Sequence, residues 1–458
     1  MRILIAGGGD VAFLTASRLI REGNEIIIVE RDAERCAKLE ESLDARIVQG
    51  SAASVKTMIE AGLGGADMLI AVTSSDEVNL LACLVAQAES SVKVKVARVR
   101  THEVDHWRRI CAQTGVLIDL IIHPESEVVA RMLPVLRIPG VSDIFEFAEG
   151  KVKLFGTNIP PDHWTVGRTL IEIANAGAPD NSLVAMIFRG AEVIIPHGQE
   201  KILAGDHVYI VTRTEDLEDV LGFLGLHRIK ALERVFVFGG KQIGIQMALE
   251  LERQRVAVKL FEQDAARCRK ISELLSSTIV VNADGSDAAT LTEENIRDVG
   301  AYLALTNHDE DNLIAAILAR RLGARKVVAL INRMNYLPMA QRLGINTSVS
   351  PRLATVDRIL RFVRKGEVVS VTTFREEEAE AIELVASAHS RYVGKRLMDI
   401  KLPRGAIVGA VARPNGEVIV PRGYSSIQAD DRVIFFALES VVPQLESAFL
   451  AERRRIGR

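Results

Sequence analysis

Four cysteines in 458 residues are too few for a disulfide framework. Cys36, Cys83, Cys111 and Cys268 show neither paired nor metal-ligand spacing, which fits a reduced, cytoplasmic setting. Aromatic residues are scarce at 5%, against 48% hydrophobic residues overall. The cores must therefore be aliphatic, as in parallel α/β domains built from Val, Ile, Leu and Ala. No uncharged apolar run approaches the length of about 18 residues that a membrane-crossing helix needs. A large charge of one sign is also missing. The formal net charge is −3, which argues against nucleic acid as the main partner. The first strand opens at Arg2, an arrangement in which no signal peptide is expected.

What the chain does have begins at its first strand. Ile3, Leu4, Ile5 and Ala6 form a short apolar run of the kind buried on both faces of a parallel sheet. The run ends in Gly7-Gly8-Gly9-Asp10-Val11-Ala12, followed by the helix-period stripe Ala12, Ala16, Leu19 and Ile20. This is a G-x-G-x-x-A dinucleotide fingerprint in its required strand–turn–helix setting. Gly7 permits the tight turn, Gly9 leaves room for a pyrophosphate, and Ala12 lets helix and strand approach. The helix N-terminus offers free N–H groups to the phosphates. The second strand ends at Glu30, where a carboxylate hydrogen-bonds ribose hydroxyls and favours NAD over NADP.

Strands are expected at 2–6, 25–30, 45–48, 67–72, 92–98 and 117–121, with helices at 11–22, 33–42, 53–61, 77–89 and 104–113. That pattern describes one doubly wound domain over residues 1–122 with its ligand at the carboxyl ends of the strands. Gly50 and Ser51 follow the third strand and could bracket an adenine. Thr73, Asp76 and Asn79 follow the fourth, suited to ribose and phosphate contacts or to capping the next helix. Arg98 and Arg100 share a face if the fifth strand persists. They could meet phosphates or form surface ion pairs. His102 and His106 could align on a helix, but no third metal ligand accompanies them.

The plan occurs twice. Gly239 lies 232 residues after Gly7, and Glu262 lies 232 after Glu30. Thr306, Asp309 and Asn312 each lie 233 after Thr73, Asp76 and Asn79. The repeat implies a second doubly wound domain at 232–350. Gly244 repeats the small residue of the fingerprint, but Lys241 replaces its middle glycine. A side chain there obstructs a pyrophosphate, although a lysine can meet a phosphate as a point charge. The second site could prefer ATP or ADP, or hold nothing. Asp284 lies in a turn like that of Gly50 and Ser51.

Each large domain is followed by a proline-marked amphipathic helix, opening at His123-Pro124 and at Ser350-Pro351, with Pro134 interrupting the first. Such a helix needs a second surface, from a neighbouring subunit or from the same chain. Small α+β modules follow at 141–226 and 366–453. Ile195-Pro196-His197-Gly198 in the first matches Val420-Pro421-Arg422-Gly423 in the second at an offset of 225. These modules could bind a small ligand or an ion, or pair with each other. Neither carries a nucleophile–base pair or a carboxylate pair in a compelling setting, so an enzyme is not expected. The basic end, Glu452 to Arg458, reads as a solvated tail.

Nucleotide domain, exit helix and small module, repeated once, resemble the RCK family, which regulates potassium conductance and is also called KTN. The residues that carry the resemblance include Gly7, Gly9, Ala12, Glu30, Gly50, Thr73, Asp76, Asn79 and Ala97-Arg98. In the second half they include Gly239, Gly244, Glu262, Ala283-Asp284-Gly285, Thr306, Asp309, Asn312 and Ser350-Pro351. The resemblance implies a cytosolic ring of such units beneath an integral-membrane potassium channel subunit, peripheral to the inner face of the plasma membrane. It implies NAD(H) in the first half and ATP or ADP in either half, with nucleotide exchange changing the ring. Four chains would supply an eight-unit ring, a homotetramer. A regulatory subunit of another cation transporter, such as a sodium/proton antiporter, is the alternative.

Overall fold

The computed structural model describes residues 1–101, 104–138, 140–190, 192–226, 232–345, 347–363, 368–374 and 378–449. His102 and the basic tail lie outside them. The chain forms two compact units, each drawn from both halves of the sequence. The first comprises Met1–Met132 and Arg234–Val363, and the second Leu133–Glu233 and Arg364–Arg458.

In the first unit, β1 (Arg2–Ala6), α1 (Asp10–Arg21), β2 (Glu25–Glu30), α2 (Ala33–Ser42), β3 (Arg46–Gln49) and α3 (Val55–Glu60) come first. Then follow β4 (Met68–Ala71), α4 (Asp76–Glu89), β5 (Val94–Arg98), α5 (Val104–Thr114), β6 (Leu120–Ile122) and α6 (Pro124–Arg137). The six strands lie in the order β3-β2-β1-β4-β5-β6, and β1 runs parallel to both β2 and β4. The order reverses beside β1, which opens a crevice at the carboxyl ends of β1 and β4. α3 starts two residues later than its pattern suggested, because the Ser54 side chain caps it by accepting from Thr57 N. β5 stops at Arg98, so the alternation argument does not carry Arg100 onto the same face. α6 runs through Pro134 to Arg137; the proline does not interrupt it.

The small module of the first half has β7 (Val141–Phe147), β8 (Val152–Asn158), α7 (Leu170–Asn175), β9 (Ser182–Arg189), β10 (Glu192–Ile194), β11 (His207–Arg213) and α8 (Leu217–Phe223). The second large domain has β12 (Arg234–Phe238), α9 (Gln242–Arg253), β13 (Ala257–Glu262), α10 (Ala265–Leu274), β14 (Ile279–Asn282) and α11 (Ala288–Glu293). It continues with β15 (Ala301–Ala304), α12 (Asp309–Arg321), β16 (Val327–Leu330), α13 (Leu337–Arg342), β17 (Thr347–Val349) and α14 (Pro351–Val363). Its sheet, β14-β13-β12-β15-β16-β17, repeats the first strand for strand. The last module has β18 (Val368–Phe374), β19 (Ala379–Val385), β20 (Ala406–Ala412), β21 (Val418–Ile419), β22 (Arg432–Leu438) and α15 (Val442–Phe449).

Two packing relationships follow. α14 leaves the second nucleotide domain and buries Val356, Ile359, Leu360 and Val363 in the same core as Val11, Ala12, Ala16 and Leu19 of α1. The exit helix of the second half thus finds its second surface on the first half of the same chain. In the second unit, the antiparallel sheets β10-β9-β11-β8-β7 and β18-β19-β22-β20-β21 share one core. Six aromatic side chains meet there, Phe145, Phe147, Phe188, Tyr209, Phe374 and Phe436. Phe374 lies 5.1 Å from Phe145 and 4.9 Å from Tyr209, ring to ring, both edge-on.

Candidate nucleotide site

The crevice beside β1 is built from backbone constraints. Gly7 has φ +104°, and a Cβ on it would meet the Thr73 backbone at 3.0 Å. Glycine is therefore required twice over, by conformation and by the approach of the β4 end. A Cβ on Gly8 would strike Leu39 at 2.7 Å and Glu30 at 2.9 Å. Around Gly9 nothing lies within 4 Å of such a Cβ, so this residue borders open space. It is also the N-cap of α1, with no side-chain cap of its own. The free N–H groups of the first turn stay available to an anion.

Glu30 closes the far side of the turn. Its Oε2 accepts from Gly8 N at 2.5 Å, and its Oε1 accepts from Arg31 N and Asp32 N, both at 2.9 Å. A carboxylate offers about four lone-pair positions. Three are used by backbone, which leaves one for a hydroxyl. Gly50 N donates to Glu30 O at 2.8 Å, and a Cβ on Gly50 would hit Thr57 at 2.5 Å. Ser51 Oγ accepts from Ala53 N at 3.2 Å.

Thr73, Asp76, Asn79, Arg98 and Arg100 form one linked group. The buried amide of Asn79 accepts from Thr73 N at 2.8 Å and donates to Arg98 O at 2.8 Å. The Asp76 carboxylate accepts from Arg100 N at 2.8 Å and Thr101 N at 2.9 Å. Asp76 and Asn79 thus hold the loop ends in place, and α4 is capped by Ser75. Arg98 Nη2 donates to Thr73 O at 2.7 Å. Burial, and then the Arg100 charge, push its pKa below the usual guanidinium range. Arg100 Nε pairs with Glu125 at 3.4 Å.

A cleft of about 1020 Å³ runs along these residues. Gly7, Gly8, Gly9, Asp10, Val11, Glu30, Gly50, Ser51, Thr73, Arg98 and Arg100 all line it, whereas Asp76 and Asn79 do not. The second half adds Lys241, Gln242, Asn307, Asn332, Arg352 and Thr355 to its wall. Gly239, Gly244, Glu262, Asp284 and Thr306 are not on it. The sequence pattern expects Lys241 at the second half's own turn, not on this wall. The others come from more than a hundred residues away, beyond any local pattern. The signal available for Arg352 was its position directly after Pro351 at the mouth of an exit helix.

In the second half the corresponding groups are engaged internally. Glu262 accepts from Gly240 N at 3.1 Å and Asp264 N at 3.0 Å, and Arg267 pairs with it at 3.3 Å. Asp284 accepts from Ser286 N and Oγ. Thr306 N donates to Asn312, which clasps Leu330 O. A Cβ on Gly244 would lie 2.0 Å from Gly239 O, so that glycine serves helix–strand contact. The Phe238 ring stands where the first half has Ala6 and abuts Gly285. Among the described residues no three His, Cys, Asp or Glu side chains converge on a metal position. No helix among them is long and apolar enough to cross a membrane.

Residues 3–124 and 235–351 match the TrkA-N domain, and residues 155–225 and 381–450 match the TrkA-C domain. The chain belongs to the TrkA family. Among TrkA relatives, "Trk system potassium uptake protein TrkA homolog 1" of Methanosarcina mazei is 35% identical over 457 residues, 98% of this chain and 100% of that protein. The "Trk system potassium uptake protein TrkA" of Vibrio alginolyticus is 36% identical over 455 residues, 98% of each chain. A solved structure described as "GsuK channel bound to NAD" shares the TrkA fold at a TM-score of 0.59 and 17% identity, covering 98% of this chain and 78% of that one.

Proposed function

We propose that this chain is a nucleotide-binding regulatory subunit of a potassium uptake system, not an enzyme. The observation that carries the reading is the Gly7–Gly9 turn opening into a cleft, with Glu30 on one side and Arg98 and Arg100 on the other. The residues fit a dinucleotide. Gly9 leaves space for a pyrophosphate, and Glu30 keeps one acceptor position for a ribose hydroxyl. Full-length relatives named as Trk potassium uptake proteins, and a channel of the same fold described with NAD, support the assignment.

In finer terms, NAD(H) binds the first half and ATP or ADP competes there. The second half, with Lys241 at the cap and Arg267 paired with Glu262, favours ADP or ATP. The working units are 1–122, 141–226, 232–350 and 366–453. The partner is an integral-membrane potassium channel subunit of the TrkH or TrkG type, and four chains form an eight-unit ring on the inner face of the membrane. A nucleotide that binds one ring shape better shifts the population toward it.

Isothermal titration of the full chain with NAD+, NADH, ADP and ATP tests the reading, with Gly9→Asp as the variant. Binding by wild type and its loss in the variant is the expected result. Equal binding by both would remove the first-half turn from the mechanism. Potassium flux with the same ligands then tests the regulation.

A further inference from the structure

We infer that Arg352, presented by the second half, is a phosphate-binding residue of the first half's nucleotide site, and that Asp10 holds it until a phosphate takes it. The inference rests on the reading above that nucleotide occupies this cleft.

Asp10 is the first residue of α1, directly after the Gly9 cap. A carboxylate at this point occupies the place that the helix N-terminus offers to an anion. Its partner is Arg352, the second residue of α14, 342 positions away. The pair is solvent-accessible, with side chains 58% and 38% exposed, and both residues line the cleft. Further along the same two helices a second pair, Arg18 and Asp357, meets at 3.2 Å, with side chains only 8% and 14% exposed. α14 is thus fixed to α1 by apolar packing and a buried ion pair, while its first turn meets α1 through an accessible one.

A phosphate entering at the α1 N-terminus lies beside the Asp10 carboxylate. It repels Asp10 and attracts Arg352, so the guanidinium changes partner without moving its helix. A phosphate accepts a forked donor as well as a carboxylate does. The other half lacks this arrangement. Neutral Gln242 stands in the place of Asp10 and donates to Arg100 O at 2.8 Å. Glu125, the residue after Pro124, stands in the place of Arg352 and pairs with Arg100. The second half thus lends the first a cation, and the first half lends the second a carboxylate. The lent arginine is what lets ATP or ADP compete with NAD(H) at the first cap.

Titration of the full chain with NADH, ADP and ATP tests this on Asp10→Asn, Arg352→Gln and the double variant, with Gly9→Asp alongside. Arg352→Gln should weaken ATP by about tenfold, the scale of one charge-assisted contact, and NADH by less. Asp10→Asn should tighten ATP several-fold, and most of that gain should vanish when Arg352 is also replaced. Asp10→Asn removes no buried packing, so it carries the test even if Arg352→Gln folds poorly. ATP affinity unchanged or lowered in Asp10→Asn overturns the proposal. So does a folded Arg352→Gln that binds all three ligands like wild type while Gly9→Asp loses them; that result leaves the nucleotide reading intact. Wild-type binding by Gly9→Asp sinks both.

Discussion

Gly9 and Lys241 occupy the same place in the two halves, each as the N-cap of the helix after the first strand, with φ/ψ of −79°/−178° and −92°/−173°. The backbone is extended at both, so the difference between the caps is a side chain and not a conformation. Gly9→Lys should therefore leave the fold intact, since a Cβ there meets nothing within 4 Å. It should still weaken NADH by about tenfold or more by filling the space a pyrophosphate needs. Titration beside a thermal melt separates the two effects.

The amide clasp of Asn79 gives a second expectation. It joins the β4 end to the β5 end through Thr73 and Arg98, and it is fully buried. Asn79→Ala strands buried backbone groups and should cost about 2–4 kcal/mol in urea unfolding. Nucleotide affinity should fall as well, because Thr73 and Arg98 lose their common support.

Asp357 stands between two guanidiniums from the first half, Arg18 at 3.2 Å and Arg131 at 2.5 Å. Asp357→Ala takes the carboxylate from the buried Arg18 and the part-exposed Arg131 and should cost about 3 kcal/mol. Denaturant unfolding of the full chain reads this directly. Asp357→Asn, which keeps shape but not charge, should recover only part of the loss.

Glu252, near the end of α9, fixes the turn before β14. Burial pushes its carboxyl up, but hydrogen bonds from Ser277, Thr278 and Ser276 outweigh that and bring it down to about 2, from 4.5. A depressed carboxylate stabilises the fold above its unfolded pKa. That contribution fades as pH falls from about 4.5 toward about 2. Glu252→Ala should melt below wild type at pH 7, and the gap should close across that window. A pH-independent gap would count against the carboxylate as its source.

Much of this was legible locally. The strand-turn-helix opening, the Glu30 strand end and the constant offsets between the halves carried both sheets and their duplication. Such features lie within about thirty residues of one another or repeat with a period, which is what pattern reading detects. Capping misled at the margins, as where Ser54 delayed α3. Strand length misled at Arg100, which lies beyond the end of β5. The wall of the cleft was the larger omission. Arg352, Gln242, Asn307 and Asn332 reach it through tertiary packing of α14 and of the facing strand ends, and no local spacing encodes that. Asp76 and Asn79 show the converse. Their residue types suit a ligand, yet Asn79 is fully engaged with Thr73 and Arg98, and one Asp76 oxygen holds the Arg100 and Thr101 backbone.

The seating of α14 on α1 bears on the two caps. In a symmetric pair of separate half-chains, any residue chosen for one cap is imposed on the other. With both halves on one polypeptide, and the exit helix of the second tucked against the first, the caps are free to differ. One keeps its glycine and gains an arginine, and the other takes a lysine and faces a glutamate. Covalent fusion lets two turns that would come as an identical pair carry different residues, so that substitution at one cap leaves the other unchanged.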